Sequence, residues 1–465
     1  MEPRTRWTVF ALCAAQFMLI LDVVIINVAI PSIRRDLDLV DARVQLAATA
    51  YTIAFGSLLV ISGRAGDLFG RRRLLLTGLS VFVTGSVLAG AAQVDWHFFA
   101  ARGLQGVGAA MVSANALAAI TASLAEGPGR NWALGLWAAV GSAGAIAGQL
   151  VGGAVTQFFG WRWIFFLNVP VGVAVVAVLA LLVRDTPASR RSPLDVAGAF
   201  LLAGGLAGAI LALTGLAEDG GRGWSLAAAA AATGLLATFA LVERRQSAPI
   251  LRWGLLRRPA VRAANATLLL NAGGLGATLF FLTLYLQVVL GHPALAVGAA
   301  FAPITLLILL LSPHAARLTT RFGARPLMVA GLAQLAGGAL LLSRLPLAGH
   351  YWTDVLPGMV LLALGSGMTY APTYIAAASG VAPEDQGAAS GLINSAQEIG
   401  AAVGLSILAL VATRAGGPGA LVEGYRAGLV GAAAFFTVGA VVAVSVPRSV
   451  GRTPAAEPEP QTTPA

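Results

Sequence analysis

The chain has 465 residues, of which 57% are hydrophobic, 56 are glycine and only 11% are charged, where soluble domains carry roughly 25% charged residues. That excludes a water-soluble globular protein, and no polar stretch is long enough for a single-pass receptor with a folded ectodomain. Nor is the net charge of +10 the footprint of a nucleic-acid binder: all 30 basic residues are arginine, in short clusters between apolar runs rather than along one stripe.

A membrane-spanning helix needs roughly 20 predominantly apolar residues. In chain order such runs predict spans at residues 8–30, 44–63, 74–93, 98–121, 133–157 and 164–183, then 195–216 and 224–242. Six more follow at 266–289, 296–313, 327–345, 354–378, 387–412 and 426–447. The count is fourteen; the run at 224–242 is the least hydrophobic, and without its pair the count is twelve. The first run continues to Ile30 behind Arg4 and Arg6, which is too long for a signal-peptide core and reads as a retained span. The segment 249–262, PILRWGLLRRPAVR, reads as a helix or turn in the inner headgroup layer. The tail from Pro447, rich in Pro, Thr and Glu, reads as disordered. The expected organisation is an all-α integral membrane protein: a six-helix bundle at 1–190, an inserted helix pair at 191–245 and a cytoplasmic interfacial linker at 246–262. A second six-helix bundle at 263–447 and a disordered cytoplasmic tail at 448–465 complete it.

With both termini in the cytoplasm, 21 arginines fall inside, eight outside, and Arg102 within a span, the excess that the positive-inside rule requires. Trp7, Trp96, Trp132, Trp161, Trp163, Trp224, Trp253 and Trp352 lie near span ends, as interfacial anchors do. Two loops repeat. Residues 63–78 read GRAGDLFGRRRLLLTG and residues 316–331 read ARLTTRFGARPLMVAG. Aligning Phe69-Gly70 with Phe322-Gly323 places Arg64 over Arg317, Arg72 over Arg325 and Asp67 over Thr320. Both join the second and third spans of a six-span unit, which implies two halves related by an axis along the membrane normal.

The loop at 63–78 resembles the signature loop of the major facilitator superfamily, G-x-x-x-D-x-x-G-R-[RK]. Four further stretches resemble its fourteen-spanner drug:proton antiporter branch: Leu21–Pro31 (LDVVIINVAIP), Arg102–Ala110 (RGLQGVGAA), Trp161–Pro170 (WRWIFFLNVP) and Gly387–Asn394 (GAASGLIN). One departure is Gln149, which stands where the family's fifth-span motif has proline; Gly144, Gly148, Gly152 and Gly153 around it still allow close helix packing. The resemblance implies the superfamily fold, two six-helix bundles plus two inserted helices, and export of amphipathic small molecules against protons.

Ionisable groups deep in a bilayer cost at least roughly 2.5–3.5 kcal/mol each, and away from the span ends there are three: Asp22, Arg102 and Glu398. Asp22 and Arg102 lie at compatible depths, able to pair or compete across a central cavity; the resemblance links both to proton coupling. The bland alternative is a static ion pair that only fixes packing. Glu398, with Asn394 one turn earlier and Gln397 beside it, is either a second protonation site, a cation-recognition charge or a neutral acid between helices. By resemblance Gly63, Asp67, Gly70, Arg71 and Arg72 form a gating loop, its carboxylate facing a helix N-terminus of the second half. Thr320 makes any such latch asymmetric. Asn27, Gln105, Asn271, Asn394 and Gln397 are candidate cavity residues, although such groups commonly just bond helix to helix.

Enzyme readings find no support: His97, His292, His314 and His350 are scattered without metal-ligand spacing, and neither a nucleophile elbow nor a phosphate loop occurs. The expectation is a proton-coupled carrier working by alternating access, without metal or cofactor. Its partners would be a small-molecule substrate, protons and the lipid bilayer, not nucleic acid, and it would act as a monomer in the cell (inner) membrane. The alternatives are a single-metabolite or lipid carrier of the same fold, with symport among its options, and a membrane sensor.

Overall fold

Hydrocarbon offers no partner to backbone N–H and C=O groups, so an apolar chain must satisfy them within helices. The structure, a computed structural model, describes residues 2–39, 41–183, 195–216, 222–246, 253–416 and 420–452, and no strand occurs among them. The helices are α1 (Pro3–Asp36), α2 (Asp41–Phe69), α3 (Arg71–Gly90), α4 (Asp95–Ser123), α5 (Pro128–Phe159), the adjoining α6 (Arg162–Phe166) and α7 (Asn168–Leu182), α8 (Val196–Leu216) and α9 (Arg222–Glu243). They continue as α10 (Trp253–Arg257), α11 (Pro259–Leu284), α12 (Ala294–Phe322), α13 (Ala324–Leu342), α14 (Leu356–Ala378), α15 (Gln386–Gly416) and α16 (Leu421–Ala443). π-helical turns at Tyr285–Val289 and Tyr351–Val355 extend α11 and lead into α14.

Thirteen of the fourteen expected spans fall each on one long helix, and the span 164–183 falls on the adjoining α6 and α7. Among the described residues twelve helices are long and apolar enough to cross a membrane; α5 and α8 carry the shorter apolar stretches Leu150–Phe159 and Val196–Ala212. Large apolar side chains such as Phe158, Phe159, Leu181, Phe200 and Leu241 stand on the outer surface, where water would penalise them and lipid does not. Hydroxyls inside the helices return their bonds to their own backbone, as Ser86 does to Phe82, Thr278 to Gly274 and Thr369 to Gly365.

The packing repeats. α1 lies on α5 as α11 lies on α15; α3 on α4 as α13 on α14; α2 on α4 as α12 on α14. α7 covers α1 and α3 as α16 covers α11 and α13. The two sets meet through α5 against α12 and α2 against α15. The loops that repeat in sequence also repeat in backbone: Gly70 has φ 100° and Gly323 φ 89°, a region only glycine enters freely.

Glycine also sets how closely paired helices approach. Gly144 faces Ile20, Gly148 faces the Leu21 carbonyl and Val24, and Gly152 faces Ile25, so α5 presses on the backbone of α1. Gly153 is half-buried on the same helix. Gly273 of α11 correspondingly abuts the Gly400 carbonyl and the Gly404 Cα. The side chain of Gln149 lies outside the described residues. α8 and α9 pack on each other, and α8 lies along α2 and α15.

Two expectations change. α11 begins at Pro259, inside the expected linker, because proline suits a helix's first turn; of the rest, α10 buries Leu255 against Val261, Val381 and Ala388 instead of lying only among headgroups. The tail is not free from residue 448 onward: Val446 and Val450 are buried, and the Val450 carbonyl accepts the Ala324 N–H at 2.9 Å. Residues 453–465 lie outside the described set.

At the face opposite the repeated loops, Arg162 and the Trp161 indole both donate to Asp36. The Arg162 hydrogen bond holds the Asp36 carboxyl below its ordinary value. A lowered folded-state value means that this clasp contributes above the usual carboxylate range and is lost only as pH falls through the lowered value.

A Gly404→Leu substitution must displace the α11 backbone, an overpacking cost of about 1–3 kcal/mol. It is expected to lower the melting temperature of the purified protein, whereas Gly337→Leu, which meets nothing within 4 Å, is expected to leave it unchanged.

Candidate functional site

Three of the residues expected to matter converge inside the first helix set. Arg102 Nη1 of α4 donates to Asp22 Oδ2 of α1 at 2.6 Å and to Gln105 Oε1 at 3.0 Å. Gln105 Nε2 donates in turn to Asp22 Oδ1 at 3.2 Å and to Ser86 Oγ of α3 at 2.7 Å. Asn168 Nδ2, at the first turn of α7, donates to Asp22 Oδ1 at 2.7 Å. The Arg102 guanidinium lies 4.7 Å from the centre of the Tyr51 ring of α2. Asp22 is 0% and Arg102 1% exposed. The expected pairing is therefore made, and in this state both side chains are shut off from the surface. It is closed within the bundle by five helices, because the acid's lone pairs are best filled by the donors of its own set.

The second group stands at the meeting of the two sets. Glu398 of α15 is half-buried, and its Cβ lies 3.8 Å from where a Cβ on Gly56 of α2 would sit. Beside it Gln397 Oε1 accepts the Tyr374 hydroxyl at 2.8 Å. Asn271 is fully buried next to Tyr370, and Asn394 is buried one turn away from Glu398. Glu398 interacts electrostatically with Tyr51, Tyr370 and Tyr374, so Tyr51 feels both groups. Between the sets, on the other side of Tyr374, lies a narrow cavity of about 10 Å³, room for roughly one water, lined by Thr121, Tyr374, Gln386, Ser390 and Ile393 among others. Asn27 is carried by α1, with its side chain outside the described residues.

The third group closes the arginine-rich face. Asp67, buried at the end of α2, accepts the backbone N–H groups of Gly387 and Ala388 at 3.1 Å each, at the start of α15. Arg71 donates to Asp67 at 2.7 Å and to the Pro383 carbonyl. Gly63 leaves room for the Gly387 carbonyl, and Arg72 bonds the Ala180 carbonyl at 2.8 Å within its own set. An acid at a helix N-terminus gains roughly 0.3–1 kcal/mol, up to about 2 when partly buried. The second copy is weaker in charge: Thr320 accepts Asn131 Nδ2 of α5 at 2.9 Å. Asn131 also donates to the Gly451 carbonyl at 3.1 Å, Arg130 to the Ala378 carbonyl at 2.7 Å, and Glu126 accepts the Gly380 N–H at 2.7 Å. Two glycines seat the sets together: Gly391 against Leu59 and Val60, and Gly135 against Ser312 and Ala316.

Sequence reasoning missed Ser86, Asn168, Tyr51, Tyr374 and the Glu126–Asn131 turn. Asn168 lies within the quoted Trp161–Pro170 stretch, and Arg130 and Asn131 open α5 as Gln386 and Gly387 open α15, so both were within reach of the repeat.

Two helix sets that repeat one packing plan, closed at one face and meeting beside a half-buried carboxylate, are the architecture of a membrane carrier. The chain matches the family model described as Major Facilitator Superfamily at residues 12–405 and 305–464. It is 38% identical to the puromycin resistance protein pur8 of Streptomyces alboniger, over 89% of this chain and 83% of that one. It is 37% identical to the cephamycin export protein CmcT of Amycolatopsis lactamdurans, over 95% and 92%. In fold it is similar to the human organic anion transporter MFSD10 (TETRAN), with a TM-score of 0.70 and 15% identity covering 95% of this chain and 100% of that chain. The chain belongs to the Major Facilitator Superfamily and is a multi-pass membrane protein.

Asp67→Asn removes the charge that faces the start of α15. With spin labels on Arg73→Cys and Arg321→Cys, the population separated at this face is expected to rise by roughly two- to thirtyfold, the equivalent of the helix-terminus energy. An unchanged distance distribution would contradict the latch.

Proposed function

We propose that this chain is a proton-coupled secondary transporter that exports amphipathic small molecules, antibiotics among them, across the cell membrane by alternating access. Its likeness, over most of its length, to proteins named for puromycin resistance and cephamycin export supports this. The observation that carries the reading is Glu398, a carboxylate left half-buried where α2 and α15 of the two sets face each other. A charge at that depth is costly unless a cation, a proton or water meets it there.

In the proposed cycle the bundles 1–190 and 263–447 rock about this seam, with fourteen spans and both termini in the cytoplasm. The arginine-rich face is then cytoplasmic, and the Asp67 latch holds the state closed to that side. Asp22 and Arg102 form the coupling pair. A proton on Asp22 cancels the charge that Arg102 answers and frees the guanidinium, which the Tyr51 ring and Gln105 then hold alone. Tyr51 touches that event on one side and senses Glu398 on the other, so the state of the first bundle reaches the seam through one side chain. Glu398 exchanges its proton for substrate, and the protein acts as a monomer.

Efflux of ethidium from intact cells tests this. Expression is expected to raise the efflux rate, a proton uncoupler to abolish the increase, and Asp22→Asn or Glu398→Gln to reduce it to the level of cells lacking the protein at equal membrane abundance. Efflux that persists with the uncoupler, or in the Asp22→Asn protein, overturns proton coupling.

A further inference from the structure

We propose that α8, from the inserted helix pair, forms part of the substrate site, with Ile210 as the wall residue that sets which molecules fit beside Glu398. This rests on the reading of Glu398 as a seam residue that meets substrate.

The side chains of Leu202, Leu206 and Ile210 fall one helical turn apart on α8, and all three are buried. The first two join Val60 of α2 in one apolar cluster, with Leu392 and Ile399 of α15 packed against it. At their level the seam is already shut, since Gly391 sits directly on the Leu59 carbonyl and the Val60 Cα. They back a closed joint. One turn further on, the situation differs. Gly56 offers no side chain, and Glu398 of α15 lies across from it. The Ile210 Cδ1 fills the gap from the far side, 3.2 Å from the point that a Cβ on Gly56 would occupy, with that point 3.8 Å from the Glu398 Cβ. The same missing side chain is thus approached by Ile210 and by the acid. Ile210 is 4% exposed despite belonging to a helix whose other faces carry Phe200 at 76%. The companion seam, α5 on α12, is closed by the two helices themselves, through Gly135 on Ser312 and Ala316. One side of the site is therefore walled by a helix that the twofold repeat does not supply.

A branched apolar side chain at this place selects by shape: a methylene more or less in such a wall changes discrimination by roughly 10–200-fold. The substrate class it suits is an amphipathic molecule whose polar end reaches Glu398 and whose flat apolar part lies along α8.

Two measurements decide it. The sequence has one cysteine, the buried Cys13, so single-cysteine proteins are made on a Cys13→Ser background. Ile210→Cys is expected to react with a charged methanethiosulfonate added outside cells about tenfold faster than Ala231→Cys, because a charged reagent reaches water-filled cavities and not hydrocarbon. Ala231 is exposed on α9 next to Ala232, which touches Gly208 of α8 at nearby depth. In the second measurement, Ile210→Trp is expected to lower the efflux of rhodamine 6G relative to ethidium by about fivefold and Ile210→Ala to raise it, with Ala231→Trp without effect on the ratio. Equal labelling at the two positions, or a dye ratio that Ile210 does not move while both dyes are pumped, overturns the proposal. If the unsubstituted protein pumps neither dye, the export reading fails, and the labelling still decides whether α8 walls the seam.

Discussion

Everything in the first helix set is arranged around one buried charge. A carboxylate at this depth without partners would cost several kcal/mol, and Asp22 avoids that by drawing three donors from two helices besides its own, α4 and α7. Arg102 brings the opposite charge, Gln105 and Asn168 bring neutral N–H groups, and Ser86 holds Gln105 in place. The donors stand on α4 and α7, and Gln105 is held in turn by α3, so the same network that stabilises the charge also ties α1, α3, α4 and α7 together. Removing the charge would leave Arg102 without its counter-charge and loosen the ties among these four helices.

The second set has no such centre. Its acid, Glu398, stands at the margin of the bundle and not within it, next to tyrosines instead of an arginine. The two halves therefore share a packing plan while differing in electrostatics: one holds its charge internally, the other presents it at the seam. The same asymmetry appears at the arginine-rich face, where Asp67 accepts two backbone N–H groups of the other set and Thr320 accepts an asparagine side chain of the other set.

The positions of the spans were legible because hydrocarbon selects apolar runs so strongly that length and composition nearly suffice. Asp22 and Arg102 were legible as partners because ionisable residues in spans are few and their depth follows from counting along a helix. Which way they point was not. Depth is a sum of rises along one helix, whereas direction depends on the rotation of that helix against its neighbours, and the latter is set by where glycines such as Gly148 and Gly273 allow backbones to touch. Asn168 and Ser86 escaped notice for a related reason: a neutral polar group in a span has many ordinary uses, and only the location of the acid reveals theirs. Composition reads residues 447–452 as disordered, yet Val450 there is buried and its carbonyl accepts the Ala324 N–H.

The last of these has a practical side. Gly451, near the end of the described chain, accepts a hydrogen bond from Asn131 at the start of α5, so the carboxyl end of the polypeptide is tied to the opposite helix set whenever the arginine-rich face is shut. A fluorophore joined just beyond Arg452 would sit beside this tether, and its signal would report whether the tether is made or broken rather than merely mark where the protein is.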